Sequence, residues 1–235
     1  MRTAMITGST KGIGRAIALR LLEAGHRLSL GLRSPQALTG SKLDPEISGA
    51  ERVLTHPYEA RDSTSVLNWV SNSIKHFGEI DTLIHCAGVF HRTPLVFSDH
   101  QQREIDELLQ VNLMGPWLLT RAAWPHLINN HSSRIIVLVS MSGKRSKGSL
   151  AGYTASKFAL MGLCQTIRNE GWNSGVRVTV ICPSWVNTDM AAAVKTLPKE
   201  DMTQAEDIAT LTSQLLEMPN SCVPFELALN CNLER

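Results

Sequence analysis

Tyr153 and Lys157, four residues apart in Tyr153-Thr154-Ala155-Ser156-Lys157, are the pair in this chain best suited to acid–base chemistry. Positions i and i+4 share one helical face, so a phenol and an ammonium there can be neighbours. A free tyrosine has a pKa of about 10 and is a poor base near neutrality. A nearby ammonium favours the phenolate and lowers that value. Such a tyrosine gives a proton to a carbonyl under reduction, or takes one from an alcohol under oxidation. Upstream, Ser140 closes an apolar run over 135–140, and its hydroxyl can donate to an oxygen that gains negative charge.

A second constellation lies near the start, in Thr7-Gly8-Ser9-Thr10-Lys11-Gly12-Ile13-Gly14. It follows a strand-like run and opens a helical pattern. Glycines at such a junction allow a tight turn and a close backbone approach to a pyrophosphate, which then faces the free N–H groups of the helix. At the end of the second apolar run stands Arg33, where an acidic residue would bind the ribose 2′-hydroxyl of NAD. With no carboxylate there, Arg33 can pair with a 2′-phosphate and Lys11 can add a second positive charge, which points to NADP(H).

Positioning these residues requires alternating strands and helices. Short apolar runs at 4–7, 27–32, 52–55, 82–85, 135–140 and 176–182 predict strands, with a seventh candidate at 225–230. Helical periodicity marks 12–24, 63–77, 153–172 and 205–216, and a long stretch over 99–130 reads as one helix or two. The stretch 34–49, rich in Ser, Pro and Gly, reads as a loop. Strand–helix repetition predicts right-handed crossovers and a parallel sheet covered on both faces. The expectation is one doubly wound Rossmann-type α/β domain over 1–235, with about seven strands.

The Gly8, Gly12, Gly14 spacing departs from the usual Gly-x-Gly-x-x-Gly and resembles the Thr-Gly-x-x-x-Gly-x-Gly loop of short-chain dehydrogenases/reductases. Asn112, Ser140, Tyr153 and Lys157 match that family's catalytic four in order. Cys86-Ala87-Gly88 stands where the family has Asn-Ala-Gly, and Pro183-Ser184-Trp185-Val186-Asn187-Thr188 where it has Pro-Gly-x-Val-x-Thr. The resemblance implies an NADP(H)-dependent oxidoreductase of the classical type acting on a CH–OH group. It implies that Asn112 holds a water linking Lys157 to solvent. Ser9, Thr10, Ile13, Ala87, Gly88, Pro183, Val186 and Thr188 would line the cofactor, Val186 and Thr188 at the nicotinamide carboxamide. Glu59 stands near the adenine where the family commonly has Asp. A homodimer or homotetramer through the long central helices is also implied, with Leu113, Leu118, Leu119 and Ala122 fitting that contact or an internal core.

Loops after the fourth, fifth and sixth strands should build the substrate pocket, which nominates His91, Met141, Ser142, Trp185 and Met190. His91 reads equally as an ordinary loop residue, and Trp185 as a pocket wall. The basic loop Lys144-Arg145-Ser146-Lys147 reads as a solvated surface, with attraction of an acidic substrate as the alternative. The other function reading, a non-catalytic NADP(H)-binding sensor, requires a degraded Ser–Tyr–Lys set, and here the set is intact.

Composition narrows the classes further. The chain has 235 residues, 43% hydrophobic and 19% charged, with a net charge of +2, too small to argue for nucleic acid. Five cysteines without a Cys-x-x-Cys pair, and no His-x-x-x-His pair, indicate neither a disulfide framework nor a metal site. The start enters a strand directly, without the charged and apolar regions of a secretory signal, and no apolar stretch approaches about 20 residues. The expected location is the cytoplasm, with a small molecule rather than nucleic acid or membrane as the partner.

Overall fold

The computed structural model describes residues 1–192 and 194–231. Its strands are β1 (Thr3–Thr7), β2 (Arg27–Leu32), β3 (Val53–Pro57), β4 (Thr82–His85), β5 (Arg134–Leu138), β6 (Arg177–Pro183) and β7 (Glu226–Leu229). They form one parallel sheet in the order β3-β2-β1-β4-β5-β6-β7. Helices α1 (Gly12–Glu23) and α7 (Ala205–Glu217) cover one face, and α3 (Ser63–Phe77), α5 (Gly115–Asn129) and α6 (Ala151–Gly171) the other. The short helix α2 (Pro45–Ser48) precedes β3, and α4 (Asp99–Leu109) packs beside α6.

The strands read as continuous apolar runs because both faces are buried. Alternate side chains of β1 serve opposite cores: Ala4 and Ile6 pack with Ile17 and Leu21 of α1, while Met5 packs with Trp69 of α3 and Leu119 of α5. Fully burying a Leu or Ile contributes roughly 1.5–3 kcal/mol, so these two layers hold the sheet between its helices. The strand order reverses between β1 and β4, and a crevice opens at the carboxyl ends of strands flanking such a point.

Three differences from the sequence expectations have physical causes. The stretch 99–130 is two helices joined by a π turn, Gln110–Met114. Pro116 has no N–H for the carbonyl four residues back, that of Asn112, and the Gly115 N–H reaches back to Gln110 instead. The stretch 34–49 is not an open loop. It carries a 3-10 turn, Pro35–Leu38, and α2, because Leu38 and Leu43 are buried and Asp44 accepts from Gly40 N and Glu46 N. The last apolar run of the 135–140 segment ends at Leu138, so Ser140 lies beyond β5 and caps a 3-10 turn, Met141–Gly143. Of the remaining elements, β2, β4 and α3 have the expected bounds and the others differ by one or two residues at their ends.

Candidate active site

The glycine loop leaves β1 at the reversal point and closes against the segment after β4. Thr7 Oγ1 accepts from Cys86 N at 3.1 Å and from Ala87 N at 3.0 Å. Gly8 has φ +71°, and a Cβ on it would meet Ala87 N at 2.8 Å. A Cβ on Gly14 would lie 2.3 Å from the Gly8 carbonyl oxygen. Only glycine permits this approach, and it leaves an open cradle at the start of α1.

The cradle is the floor of a cavity of about 260 Å³. Thr10, Lys11, Gly12 and Ile13 form one side, Leu32, Arg33 and Glu59 the far end, and Ala87 and Gly88 the wall. Ser9 does not line it: its side chain is buried beneath the loop, with no hydrogen-bond partner for Oγ among the described residues. Six charged groups line this cavity, and most are spent on each other. Lys11 Nζ stands 3.3 Å from Asp189 Oδ2, Arg61 Nε 3.3 Å from Glu59 Oε1, and Glu107 Oε2 2.9 Å from His91 Nε2. Arg33 makes no ion pair among the described residues.

A second cavity, about 170 Å³, adjoins the first and shares Ile13, Cys86, Gly88, Val89, Thr188 and Met190 with it. Ser140, Tyr153 and Lys157 line it. Ser140 Oγ accepts from Ser142 N at 3.1 Å, and Phe90 packs edge-on against the Tyr153 ring with centroids 4.9 Å apart. Lys157 Nζ is buried, donates to Leu138 O at 3.0 Å, and lies 5.8 Å from the Tyr153 ring centroid. Burial lowers the Lys157 ammonium to about 8. The Tyr153 phenol runs against the expectation from the i, i+4 pair. Burial pushes its pKa up, with the nearby Ser140 side chain opposing, because the hydroxyl has lost water while Lys157 faces the Leu138 carbonyl.

Asn112 sits inside the π turn, fully buried. Its Oδ1 accepts from Val89 N at 2.9 Å, and its Nδ2 donates to Val89 O at 3.0 Å and Ser156 Oγ at 3.2 Å. The side chain therefore clamps the segment after β4 onto α6. Ser140 itself has φ 149° and ψ 159°, a backbone conformation that L residues rarely adopt.

Residues 2–198 match the short chain dehydrogenase family. The chain belongs to this family.

Short chain dehydrogenases are a class of oxidoreductases that bind a nicotinamide cofactor. The chain is 35% identical over 216 residues to the agropine synthesis reductase of Rhizobium rhizogenes, covering 92% of this chain and 49% of that protein. It thus spans about half the length of that relative. It is 31% identical over 229 residues to oxidoreductase UcpA of Salmonella typhimurium, covering 96% of this chain and 84% of that one. Among solved structures, an alcohol dehydrogenase of the archaeon Thermococcus sibiricus, complexed with 5-hydroxy-NADP, superposes with a TM-score of 0.88 at 28% identity. It covers 100% of this chain and 98% of that one.

The structure places most of the nominated residues in the two cavities. Met141, Ser142, Trp185 and Met190 line the second, with Pro183, Val186 and Thr188. His91 does not: its ring turns to Glu104 and Glu107 of α4, away from Tyr153. Sequence reasoning missed Val89, Phe90 and Leu150, which carry no chemical mark and are recognised only as lining. It also missed Thr7, whose place just before Gly8 was the available signal. Cys86, standing for the family's Asn, leaves its tie to Thr7 through the backbone N–H, and burial pushes its thiol up to about 12. Among the described residues no group of three or more His, Cys, Asp or Glu could hold a metal, and no helix is long and apolar enough to cross a membrane.

Proposed function

We propose that this chain is an NADP(H)-dependent carbonyl reductase or alcohol dehydrogenase with Tyr153 as its proton-transfer residue. The observation that carries the reading is that Ser140, Tyr153 and Lys157 line one cavity, which adjoins the cavity at the glycine cradle. The bound cofactor supplies or accepts the hydride. Gly8, Thr10, Gly12, Ile13 and Gly14 would hold its pyrophosphate, Ala87 and Gly88 the adenosine ribose, and Pro183, Val186 and Thr188 the nicotinamide end. Ser140 donates to the substrate oxygen and so steadies negative charge there. Tyr153 passes its proton to the same oxygen in reduction and recovers it in oxidation. Burial alone disfavours the phenolate, so Lys157 would favour it together with the positive charge of an oxidised nicotinamide, and the Asn112 clamp keeps the start of α6 in register with the cavity wall.

The preference for NADP(H) is supported by charge. Lys11, Arg61 and Glu107 have partners, which leaves Arg33 to receive a 2′-phosphate at the far end of the cavity. The solved relative with an NADP analogue agrees with this choice. The intact Ser140–Tyr153–Lys157 set does not favour a non-catalytic sensor. The reading takes residues 1–235 as one dinucleotide-binding domain, working in the cytoplasm as a homodimer or homotetramer. Leu119 is buried within its own chain, so a subunit contact would use exposed apolar residues such as Trp117 on α5 and Phe158 on α6.

Titration of the purified protein with NADPH and NADH, followed by a panel of aldehydes, ketones and oxo acids, tests the reading. NADPH should bind more tightly and support turnover. Tyr153→Phe should abolish turnover while NADPH affinity is nearly unchanged; full residual activity in that variant removes Tyr153 from the mechanism.

A further inference from the structure

The helix α6 carries Tyr153 in its first turn yet has no cap of its own. The first N–H groups of a helix lack intrahelical partners, and Leu150, the residue before α6, offers no side-chain acceptor. The N–H groups of Ala151 and Gly152, the two helical residues before Tyr153, go instead to one residue of the segment after β4. Thr93 O accepts from Ala151 N at 2.8 Å, and Thr93 Oγ1 accepts from Gly152 N at 3.0 Å.

Thr93 is fully buried, and Pro94 after it favours extended backbone there. A Cβ on Gly152 would lie 2.7 Å from Thr93 Oγ1, 3.0 Å from Ile105 Cγ1 and 3.1 Å from Leu108 Cδ1. Glycine inside a helix is destabilising, so the glycine at 152 answers to this close approach of Thr93 and α4. The same segment meets α6 at two further points. Asn112 ties Val89 to Ser156, and Phe90 packs on the Tyr153 ring. Thr93 is the last buried residue before α4; Leu95 and Val96 beyond it are exposed. It lines neither cavity, so any effect on the chemistry passes through α6.

Resting on the assignment of Tyr153 to proton transfer, we propose that Thr93 is a positioning residue, which caps α6 from the segment after β4 and so fixes Tyr153 at the cavity wall. Proton transfer depends steeply on the alignment of the reacting atoms, and a frayed first turn would move the phenol.

The test compares Thr93→Val, which keeps the side-chain shape and removes the acceptor, with Thr93→Ser, which restores it. The protein has two tyrosines, Tyr58 and Tyr153, and both are buried. Tetranitromethane nitrates accessible phenols, and peptide mass spectrometry reads the two sites separately. Thr93→Val should raise nitration of Tyr153 several-fold and leave Tyr58 at the wild-type level, and Thr93→Ser should reverse the rise. On the best carbonyl of the aldehyde, ketone and oxo acid panel, kcat of Thr93→Val should fall by roughly ten- to a hundredfold, with the Kd for NADPH nearly unchanged. Thr93→Ser should recover most of that loss. Gly152→Ala presses on the same bond from the helix side and should act in the same direction, so it serves as the test if Thr93→Val does not fold. Unchanged nitration of Tyr153, an equal rise at both tyrosines, or a wild-type kcat overturns the proposal. Full activity in Tyr153→Phe would instead overturn the underlying assignment of Tyr153.

Discussion

Lys11 Nζ lies 3.3 Å from Asp189 Oδ2, and the pair links the glycine loop to the segment after β6 across the mouth of the first cavity. Both side chains are largely exposed, so the link is weak and screened by salt. Its effect is on Lys11, whose charge Asp189 partly cancels. Asp189→Asn should tighten NADPH binding by about two- to fivefold at low salt, with NADH little changed. A fluorescence titration of both nucleotides checks this, and an equal gain for NADH would remove Lys11 from 2′-phosphate recognition. Arg33→Asp should act in the opposite direction and weaken NADPH strongly.

Ser140 combines a strained backbone with a hydroxyl group on the wall of the cavity that Tyr153 also lines. Glycine is ordinarily less stabilising than alanine, by roughly 0.5–1 kcal/mol. At Ser140 the order should reverse, because φ 149° suits glycine and strains alanine. Ser140→Gly should melt above Ser140→Ala, by the equivalent of about 1 kcal/mol. Both should lose activity by a hundredfold or more on the scale of a removed oxyanion donor. Thermal unfolding and kcat on one substrate give the two readouts.

Two helical glycines should respond oppositely to alanine. A Cβ on Gly14 would meet the Gly8 carbonyl at 2.3 Å and Cys86 Cβ at 3.1 Å, whereas a Cβ on Gly162 in α6 meets nothing within 4 Å. Gly162→Ala should stabilise by roughly 0.5–1 kcal/mol through helix propensity. Gly14→Ala should destabilise despite the same propensity gain and should cut nucleotide affinity, since the cradle must open. Denaturant unfolding of the two variants, beside NADPH titration, separates the effects.

His85 on β4 is fully buried, with Nε2 on Thr120 Oγ1 and Nδ1 without a partner among the described residues. Burial lowers its pKa from 6.5 to about 4. The native state thus holds this imidazole neutral while the unfolded chain takes up a proton below pH 6.5, so unfolding is favoured progressively as pH falls toward 4. The loss attributable to His85 should be on the order of 3 kcal/mol over that window. His85→Gln keeps a hydrogen-bonding partner for Thr120 and should show a flatter stability profile between those pH values. Parallel profiles for wild type and variant would exclude His85 as the cause.

Much of the fold was legible because its signals are local. Each strand is buried on both faces and reads as an apolar run, and each helix carries an apolar stripe. Gly25 and Gly78, both at positive φ, end α1 and α3 where the chain must turn. Gly8, Gly12 and Gly14 were legible for a similar reason, since their backbone geometry forbids other residues. The 34–49 stretch was not, because its order comes from Leu38 and Leu43 reaching the core around α1. The π turn escaped notice because it depends on one missing donor, that of Pro116, inside an otherwise unbroken helical pattern.

The sequence by itself determined the element order, the glycine cradle and the set of residues suited to proton transfer, since each depends on residue type and short spacing. Tertiary structure decided which neighbours those residues have. It turned His91 to Glu107, left Arg33 without an ion pair among the described residues, and tied Lys144 to Glu226. It also raised the Tyr153 phenol by burial rather than lowering it through Lys157. These outcomes depend on desolvation and on partners far apart in the chain, such as Lys144 and Glu226, which no local pattern encodes.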